Sequence, residues 1–506
     1  MKAGMKRKAS LRNVSRKLSA AGSPSTTTVM CWEDDPGDPS AQPALTPISV
    51  PAPNPAASPL PFKIDGPSPA PKPYPPGSEQ FRYYAAAAAL RRTADFWGGI
   101  LKPVPHWQVG KVLPVELDSG VDLNAFYTRG GFGDTPGLHF FHQDVKGRTY
   151  FSSESPDVVC HEMGHAVLDA LRPELWSAQT IEAAAFHESF GDMSALLSAL
   201  QVSSFRSLVL TDTSGKLSRA SRLSRLAEQL GAAIRVNHPD IVDSDCLRNA
   251  ANSFFYTDPQ SLPPSAPATQ LSSEPHSFSR VFTGAFLEAL AGVFSLQSKA
   301  PDVNDLATAS DISARLLIGG VSASPVVPDY FSQVAAHIVQ FGENAPFNGK
   351  YRDVLKSAFI RKGILSLQAA TTLGGAKPRR LGMVAVQAEE SPRPPLPKAS
   401  ISASQYGLRK ASLTVHTAGQ PKRFAVTGAS LTSGPEEPRS AQSAAEVYTE
   451  DIFKRGHVDV GEHAVPGSGV VHTFTFKTHA VVEKDGELVL ERRTFDCGLG
   501  SHTRAR

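Results

Sequence analysis

Residues 161 to 165 read His161-Glu162-Met163-Gly164-His165, two histidines spaced four apart with a glutamate after the first. On a helix, positions i and i+4 share one face and lie about 5–6 Å apart. Two imidazoles at that spacing can hold one Zn²⁺ at about 2.0–2.1 Å each. Glu162 is rotated by about 100° around the helix, so it can face a water at the metal without binding the metal itself. The pattern therefore predicts a helix with two metal ligands, His161 and His165, and a base, Glu162.

The residues around this pattern contain signals for the start and the end of a helix. Ser155 is a suitable N-cap, Pro156 suits the first helical position, and Asp157 suits the positive end of the helix dipole. Pro173 predicts that the helix ends just before it. The alternative interpretation is an amphipathic core helix that carries two histidines and no metal.

A second helix is predicted from about 181 to 200, where apolar residues recur at helical spacing. Glu188 and Asp192 are i and i+4 on this helix, so both carboxylates share one face. Catalytic zinc takes a third protein ligand and keeps one position open, and Glu188 is the candidate. Asp192 can then accept a hydrogen bond from a ligand histidine, which fixes the orientation of that ring. Glu182 and His187 are alternative candidates for the third ligand.

The overall composition excludes several classes of protein. The chain has 506 residues, enough for two or three domains, and its 41% hydrophobic content supports a buried core. A net charge of +3 indicates no preference for nucleic acid or acidic membranes. No apolar run approaches the length of about 18 residues that a membrane span needs. The cysteines are scattered without a CxxC pair, which predicts neither a disulfide framework nor a cysteine zinc site; they are Cys31, Cys160, Cys246 and Cys497.

Residues 1–78 are predicted to be a disordered leader. Their first part is basic, with no acidic residue before Glu33, and no apolar segment of a secretory signal follows it. The spacing of Leu11, Val14 and Leu18 leaves a transit peptide as an alternative. The second part is rich in proline, which is typical of an extended chain. These features do not decide in which cellular compartment the protein is found.

The rest of the chain is predicted to form an α+β protein in several parts. Residues 79–200 hold a first helix, short strands separated by glycine-rich turns, and the two helices with the candidate ligands. Residues 201–370 are predicted to be mostly helical, and a proline-rich linker is expected at 371–404. A small β-rich module follows at 405–506, in which residues 484–486 (Lys-Asp-Gly) predict the turn of a hairpin. Binding a partner and gating the cleft are two roles left open for this module.

Residues 157–167 (DVVCHEMGHAV) resemble the DVVxHExxHAV helix of the thermolysin-like gluzincins, a family of zinc neutral proteases. Residues 187–192 (HESFGD) are similar to that family's NExxSD segment, with His187 where the family usually has asparagine. Residues 124–127 (NAFY) resemble its NAF(W/Y) edge strand. The resemblance covers about residues 80–365. It implies a two-lobed zincin, in which a mixed N-terminal lobe with a small sheet packs against a helical C-terminal lobe.

The same resemblance implies roles for residues outside the two helices. Asn124 and Ala125 would hold the backbone of a peptide substrate. Arg248 would contact a substrate carbonyl and support the third ligand. His276 would donate a hydrogen bond to the developing oxyanion.

Two further positions depart from the family pattern. Trp176 lies near the position of the family's oxyanion tyrosine, and it offers an indole N–H in place of a hydroxyl. The aspartate that orients the oxyanion histidine has no clear counterpart, and Glu274 is the nearest substitute.

These observations predict a zinc-dependent endopeptidase with peptide or protein substrates. Glu162 would take a proton from the zinc-activated water and deliver it to the leaving amine, and His276, helped by Trp176, would stabilise the oxyanion. A second hypothesis is a zinc-binding interaction protein that kept the fold and lost turnover. Its closed site would need a fourth ligand, for which Cys246 and His187 are candidates. An aminopeptidase is a third hypothesis, and no GxMEN-type exopeptidase motif supports it.

Overall fold

The computed structural model of the chain describes residues 27–47, 59–375, 395–420, 440–466 and 476–497. These described residues form eleven α-helices and sixteen β-strands in several small sheets, which confirms the predicted α+β class. The helices are α1 (Glu79–Ile100), α2 (Pro156–Leu171), α3 (Ile181–Ala199), α4 (Ser203–Thr213), α5 (Glu228–Arg235), α6 (Pro275–Ser295), α7 (Val303–Ala323), α8 (Tyr330–Gly342), α9 (Arg352–Arg361), α10 (Leu367–Gly375) and α11 (Ala441–Lys454). The strands are β1 (Thr28–Cys31), β2 (Ala44–Pro47), β3 (Phe62–Ile64), β4 (Leu113–Glu116), β5 (Ala125–Thr128), β6 (Gly137–Phe140), β7 (His142–Val145), β8 (Arg148–Phe151), β9 (Arg225–Leu226), β10 (Arg248–Asn249), β11 (Lys398–Ser402), β12 (Ser412–His416), β13 (Val458–Asp459), β14 (His479–Lys484), β15 (Glu487–Arg492) and β16 (Thr494–Asp496).

A five-stranded sheet in the order β16-β5-β6-β4-β3 packs against helix α2. β4 pairs in parallel with β3 and β6, whereas β5 runs antiparallel to β6 on one side and to β16 on the other. Every residue of β5 and β6 is buried. The strand that the sequence predicted as an edge, β5, has therefore gained a neighbour from the far end of the chain.

The two predicted helices pack side by side in the protein core. α2 packs along α3, and α3 packs along α6, so α3 lies between two other helices. All 19 residues of α3 are buried. Ser155 and Thr180 cap the two helices, since their hydroxyl oxygens accept hydrogen bonds from the backbone N–H groups of Val158 and Ala183. Both helices are confirmed, with α2 starting at Pro156 as predicted.

A second five-stranded sheet, in the order β11-β12-β15-β14-β13, is formed by residues after 397. β14 and β15 form the predicted hairpin, in which Asp485 and Gly486 take the left-handed backbone conformation, with φ of 51° and 80°. The structure differs from the predicted module of residues 405–506 in three ways. β11 lies within the predicted linker, residues 371–404, and pairs with β12; α11 adds a 14-residue helix; and β16 leaves this sheet to pair with β5. Residues 376–394 of the linker lie outside the described part of the chain.

The predicted disorder of residues 1–78 is wrong for the two segments of the leader that the structure describes. β1 pairs with β2, and β3 joins the sheet beside β4. Cys31 packs with Phe81 and Ala85 of α1, and Phe62 is buried. A proline-rich composition disfavours long elements, but short strands still form where their apolar side chains meet a neighbouring surface. The rest of the predicted leader, residues 1–26 and 48–58, lies outside the described residues.

Among the described helices, no single one has the length and apolar character needed to cross a membrane. One bent pair, α3 with α4, passes that test of length and composition together, with an angle of 104° between the two helices.

Candidate metal centre

α2 and α3 bring the three predicted ligands His161, His165 and Glu188 together, with their ligand atoms all within 4.8 Å of one another. Nε2 of His161 lies 3.4 Å from one oxygen of Glu188, and Nε2 of His165 lies 3.7 Å from the other. These distances are long for hydrogen bonds and close to the separation of about 3.4 Å between two ligands of one tetrahedral zinc ion. No hydrogen bond from the described residues reaches either buried Nε2 atom. The three side chains therefore fit a shared metal ion.

Two glycines allow the helices to approach this closely. A Cβ atom on Gly191 of α3 would lie 2.6 Å from Cε1 of His161. A Cβ atom on Gly164 of α2 would lie 2.8 Å from Cβ of Ser194. A larger residue at either position would push α2 and α3 apart, and the ligands on the two helices would separate.

Asp192 contacts the other ring nitrogen of His161. Its Oδ1 lies 3.1 Å from Nδ1 of His161 and accepts a hydrogen bond from Nη2 of Arg248 at 2.9 Å. Burial raises the pKa of Asp192, but Arg248 and His161 outweigh burial and lower it. A charged carboxylate that accepts the Nδ1–H orients the ring so that Nε2 of His161 can bind a metal once that atom loses its proton. Asp192 thus lies where the sequence placed it, and Arg248 supports it.

His165 is oriented by a second histidine. Its Nδ1 lies 3.2 Å from Nδ1 of His187, which is buried on α3. Burial lowers the pKa of His165 to about 3 and also lowers that of His187. Both rings are therefore neutral, and one donates to the other. If Nδ1 of His165 carries the hydrogen, its Nε2 keeps the lone pair that metal binding needs. His187 thus supports a ligand, which is a different role from the third ligand considered from the sequence.

Glu162 lies beside the ligands on α2, and one of its oxygens is covered. Oε1 accepts a hydrogen bond from Sγ of Cys497 at 2.7 Å. Burial raises the pKa of Glu162 to about 8. The ligand atoms of His161, Glu162 and Cys497 also lie within 4.8 Å of one another, so a thiol lies beside both the predicted base and a predicted ligand. Cys246, considered from the sequence as a fourth ligand, belongs to no such group among the described residues.

His276 reaches the site from the first turn of α6. Its Nε2 lies 3.1 Å from Oε2 of Glu188 and 2.7 Å from the carbonyl oxygen of Asp496. Its Nδ1 lies 2.5 Å from Oε1 of Glu274, so Glu274 orients this ring as the sequence suggested. Burial lowers the pKa of His276, but Glu188 and Glu274 outweigh burial and hold it well above its ordinary value. The charged form of the ring is therefore favoured, and its two N–H groups donate to Glu274 and to the Asp496 carbonyl.

The predicted substrate strand, β5, begins next to the metal ligands. The carbonyl oxygen of Ala125 accepts a hydrogen bond from the backbone N–H of Cys497 at 2.9 Å. Nη1 of Arg248 lies 3.5 Å from the carbonyl oxygen of Cys497. The side-chain amide nitrogen of Asn124 is buried and has no hydrogen-bond partner among the described residues. Ala125 and Arg248 thus face one groove along β5, and the groove holds β16.

Trp176 packs against residues of β5 and β16. Its ring packs edge-on against Tyr127 and Phe495, with centroid distances of 5.7 and 5.5 Å. Its carbonyl oxygen accepts a hydrogen bond from Nε of Arg492 at 3.0 Å. Through these contacts Trp176 holds β16 in place. Its predicted role in stabilising the oxyanion stays a prediction.

A second group of ligand atoms lies at the N-terminal end of α2. Carboxylate oxygens of Asp35, Asp157 and Glu228 are within 4.8 Å of one another and could also hold a metal ion. Asp35 accepts hydrogen bonds from Ser155, the N-cap of α2, and from the backbone N–H of Gln229. Burial raises the pKa of all three carboxyls, that of Glu228 to about 11. Asp35 was missed because it falls in the predicted leader.

Sequence reasoning also missed Asp496 and Cys497. The scattered cysteines predicted no cysteine at a metal site, yet Cys497 lies at Glu162, 335 residues away along the chain. No motif or local spacing marks this segment. The available signal is the run Thr494-Phe495-Asp496-Cys497 directly after the predicted hairpin, whose β propensity could have suggested a further strand.

No protein-family model matches this chain, and no curated protein matches it significantly.

Proposed function

We propose that this protein hydrolyses internal peptide bonds with a zinc ion held by His161, His165 and Glu188. The convergence of these three side chains, with Glu162 beside them, is the observation that carries the proposal. Two neutral imidazoles and one carboxylate form a ligand set typical of catalytic zinc, since they leave one position open. The network through Asp192, His187 and Arg248 supports it, because such partners fix the orientation of metal-binding rings.

The bound metal would polarise the scissile carbonyl and make a water acidic near neutral pH. Glu162 would take the proton of the attacking water and return it to the leaving amine, because a cation bound beside it would favour the ionised carboxylate that burial disfavours. The charged His276 donates its Nε2–H to the oxygen on which negative charge develops. Ala125 and Arg248 bind the substrate backbone along β5, which holds the scissile bond at a fixed position.

The proposal includes a two-lobed zincin fold. The sheet that contains β5 would belong to the N-terminal lobe, and α6 with the helices that follow it would belong to the C-terminal lobe. α2 and α3 would then lie at the boundary. This division is supported by the ligands, which come from α2 and α3, and by His276, which comes from α6.

A zinc-binding interaction protein without turnover is the second candidate. The contact between Cys497 and Glu162 favours it, because a fourth protein ligand would close the site. The position of His276, whose Nε2 lies 3.1 Å from Oε2 of Glu188, favours the peptidase, since a closed structural site requires neither an oxyanion donor nor a base at Glu162.

The proposal is tested by measuring zinc content and peptide cleavage on the same samples. Because β16 lies in the groove, the assay uses the full chain with Phe495→Ala, which weakens that strand, with and without Glu162→Gln. A quenched fluorescent peptide mixture reports cleavage. We expect equal zinc in both proteins and a loss of about 100- to 10,000-fold in rate on removing the base. A chelator should abolish cleavage in the Phe495→Ala chain.

The peptidase proposal fails if the Phe495→Ala chain binds zinc, has an accessible Cys497 thiol and cleaves no peptide. That result would select the interaction protein. Equal cleavage rates with and without Glu162→Gln would instead remove Glu162 from the proposed chemistry.

A further inference from the structure

The last described residues of the chain lie in the groove beside the candidate metal centre. β16 pairs with β5 in antiparallel register, with Thr494 opposite Thr128 and Asp496 opposite Phe126. The pairing continues one residue further, through the hydrogen bond from Cys497 N–H to the Ala125 carbonyl. An exposed strand edge is a ready template for an extended peptide, and this chain fills that edge with its own segment.

Three backbone contacts of this segment are contacts that the proposed function assigns to a substrate. His276 reaches the carbonyl oxygen of Asp496, Ala125 accepts from the N–H of Cys497, and Arg248 lies near the carbonyl of Cys497. The peptide bond between Asp496 and Cys497 therefore lies where a scissile bond would lie. The Cys497 thiol differs from a substrate side chain, since it donates a hydrogen bond to Oε1 of Glu162, the proposed base.

We propose that residues 494–497 are a built-in inhibitor of this site: β16 fills the substrate groove, and the Cys497 thiolate is the fourth ligand of the bound metal. The inference rests on the proposed function, because it assumes a metal on His161, His165 and Glu188. On this proposal, the C-terminal part of the chain keeps the enzyme inactive until β16 is displaced.

The proton of the thiol has an acceptor within reach. A cysteine binds zinc as the thiolate, so the S–H bond would break as the S–metal bond formed. Its proton would pass to Oε1 of Glu162, which accepts the hydrogen bond from Sγ at 2.7 Å. The same contact would place the sulfur at the open metal position and cover one oxygen of the base.

Aromatic and ionic contacts hold the strand in place. The ring of Phe495 stacks on His187 and on His165, with centroid distances of 3.8 and 5.2 Å. Arg493 binds Asp134 at 3.1 Å and lies at the rim of the groove. Phe495 is thus the main anchor, and Arg493 is a peripheral one whose loss should leave the core intact.

The first test reads the metal–sulfur bond directly. The full chain is loaded with Co²⁺ in place of zinc, and its near-ultraviolet absorption is recorded for the parent, Cys497→Ser and Cys246→Ser. We expect a thiolate-to-cobalt charge-transfer band in the parent, retention of that band in Cys246→Ser, and its loss in Cys497→Ser. Cys246 is the matched control because it is also buried and belongs to no group of metal ligands among the described residues.

The second test reads displacement of the strand. Phe495→Ala and Arg493→Ala are compared with the parent for the reaction rate of the Cys497 thiol with a disulfide reagent and for peptide cleavage. Both rates should rise together, by at least about 10-fold in Phe495→Ala and by less in Arg493→Ala. Arg493→Ala keeps the test decisive if Phe495→Ala fails to fold. Mass spectrometry of the zinc-loaded parent should show the intact chain.

The outcomes separate this inference from the proposed function. Metal binding without a charge-transfer band, or a band unchanged in Cys497→Ser, refutes the metal–thiolate bond. A parent as active as Phe495→Ala refutes inhibition, and loss of residues 497–506 from the parent would make the segment a substrate. A parent and a Cys246→Ser chain that bind no cobalt would contradict the proposed function itself.

Discussion

Helix α2 carries two groups of buried ligand atoms, one near its middle and one at its N-terminal end. In the first, the carboxylates of Glu188 and Asp192 lie beside His276 and Arg248. In the second, Asp157 lies among other carboxylates, with Glu228 also contacted by an arginine at 3.2 Å. All members of both groups are buried except Asp157, which is half-buried, so the main difference between the groups lies in their neighbours.

That difference appears in opposite pKa shifts. Burial raises the pKa of Glu188, but His276 and His165 outweigh it, and the pKa lies well below its ordinary value. At the other end, burial and mutual repulsion act in the same direction and raise the pKa of Asp157 and Glu228. The first group thus keeps its carboxylates charged without an ion, whereas the second holds protons unless a cation replaces them.

The largest expected effect is loss of metal from the first group. Glu188→Gln removes a charged ligand, so metal affinity should fall by more than about 100-fold, beyond the loss expected for an orienting partner. Affinity is measured by competition with a chromogenic chelator. Glu182→Gln is the matched control, since Glu182 is buried on the same helix and hydrogen-bonds Tyr256 and the N–H of Phe331 instead. A loss of metal affinity in Glu182→Gln, with none in Glu188→Gln, would favour Glu182 as the third ligand.

A smaller effect is expected from the partner of His161. Asp192→Asn keeps the shape of the side chain and removes the charge that Arg248 and His161 share, so metal affinity should fall by about 10- to 100-fold. Asp192 and Glu188 together outweigh burial and raise the pKa of His161 to about 9. Metal binding to the parent must therefore displace a proton, and its affinity should rise with pH more steeply in the parent than in Asp192→Asn.

The control for this change is Asp169→Asn. Asp169 is also a buried aspartate, on α2, and it binds Arg129 and Tyr127. This variant should lose stability and keep its metal affinity. An equal loss of affinity in both variants would mean that Asp192 acts through general packing.

The sequence was sufficient for parts of the site whose geometry is local. The spacing of His161 and His165 on a capped helix, and of Glu188 and Asp192 on the next, follows from helical periodicity alone. The resemblance to a known family then supplied His276 and Arg248, which the structure brings to the same place. Helix periodicity and capping depend on residues within a few positions of one another, so a single chain is enough to recognise them.

The parts that were missed depend on distant pairings. Cys497 meets Glu162 because β16 crosses to β5, and strand pairing across such a separation leaves no local pattern. Asp35 reaches the N-cap of α2 from a proline-rich segment whose composition predicted disorder. His187 was recognised as unusual, yet its contact with His165 depends on how closely α2 and α3 approach.

The smallest expected effect concerns the second group and has the opposite sign, since the substitution should stabilise the protein. The pKa of Glu228 is raised from its ordinary value to about 11, first by burial and then by Asp35 and Asp157. The folded chain therefore keeps a proton that the unfolded chain loses above about pH 5. Between about pH 5 and the pKa of the folded chain, the free energy of unfolding falls as pH rises. Glu228→Gln removes this pH-dependent loss of stability. It should raise the free energy of unfolding by about 1–3 kcal/mol at about pH 8, with little change at about pH 5.

The measurement is the midpoint of thermal unfolding against pH, with divalent cations removed by a chelator so that no ion offsets the repulsion. Glu462→Gln, at an exposed glutamate in a short 3-10 helix, is the control and should leave the midpoint unchanged at either pH. A lower midpoint for Glu228→Gln at both pH values would show that the carboxyl stabilises the end of α2 through its hydrogen bonds. Glu228 would then be ionised through its contact with Arg225. The second group would in that case carry a charged carboxylate, as the first group does.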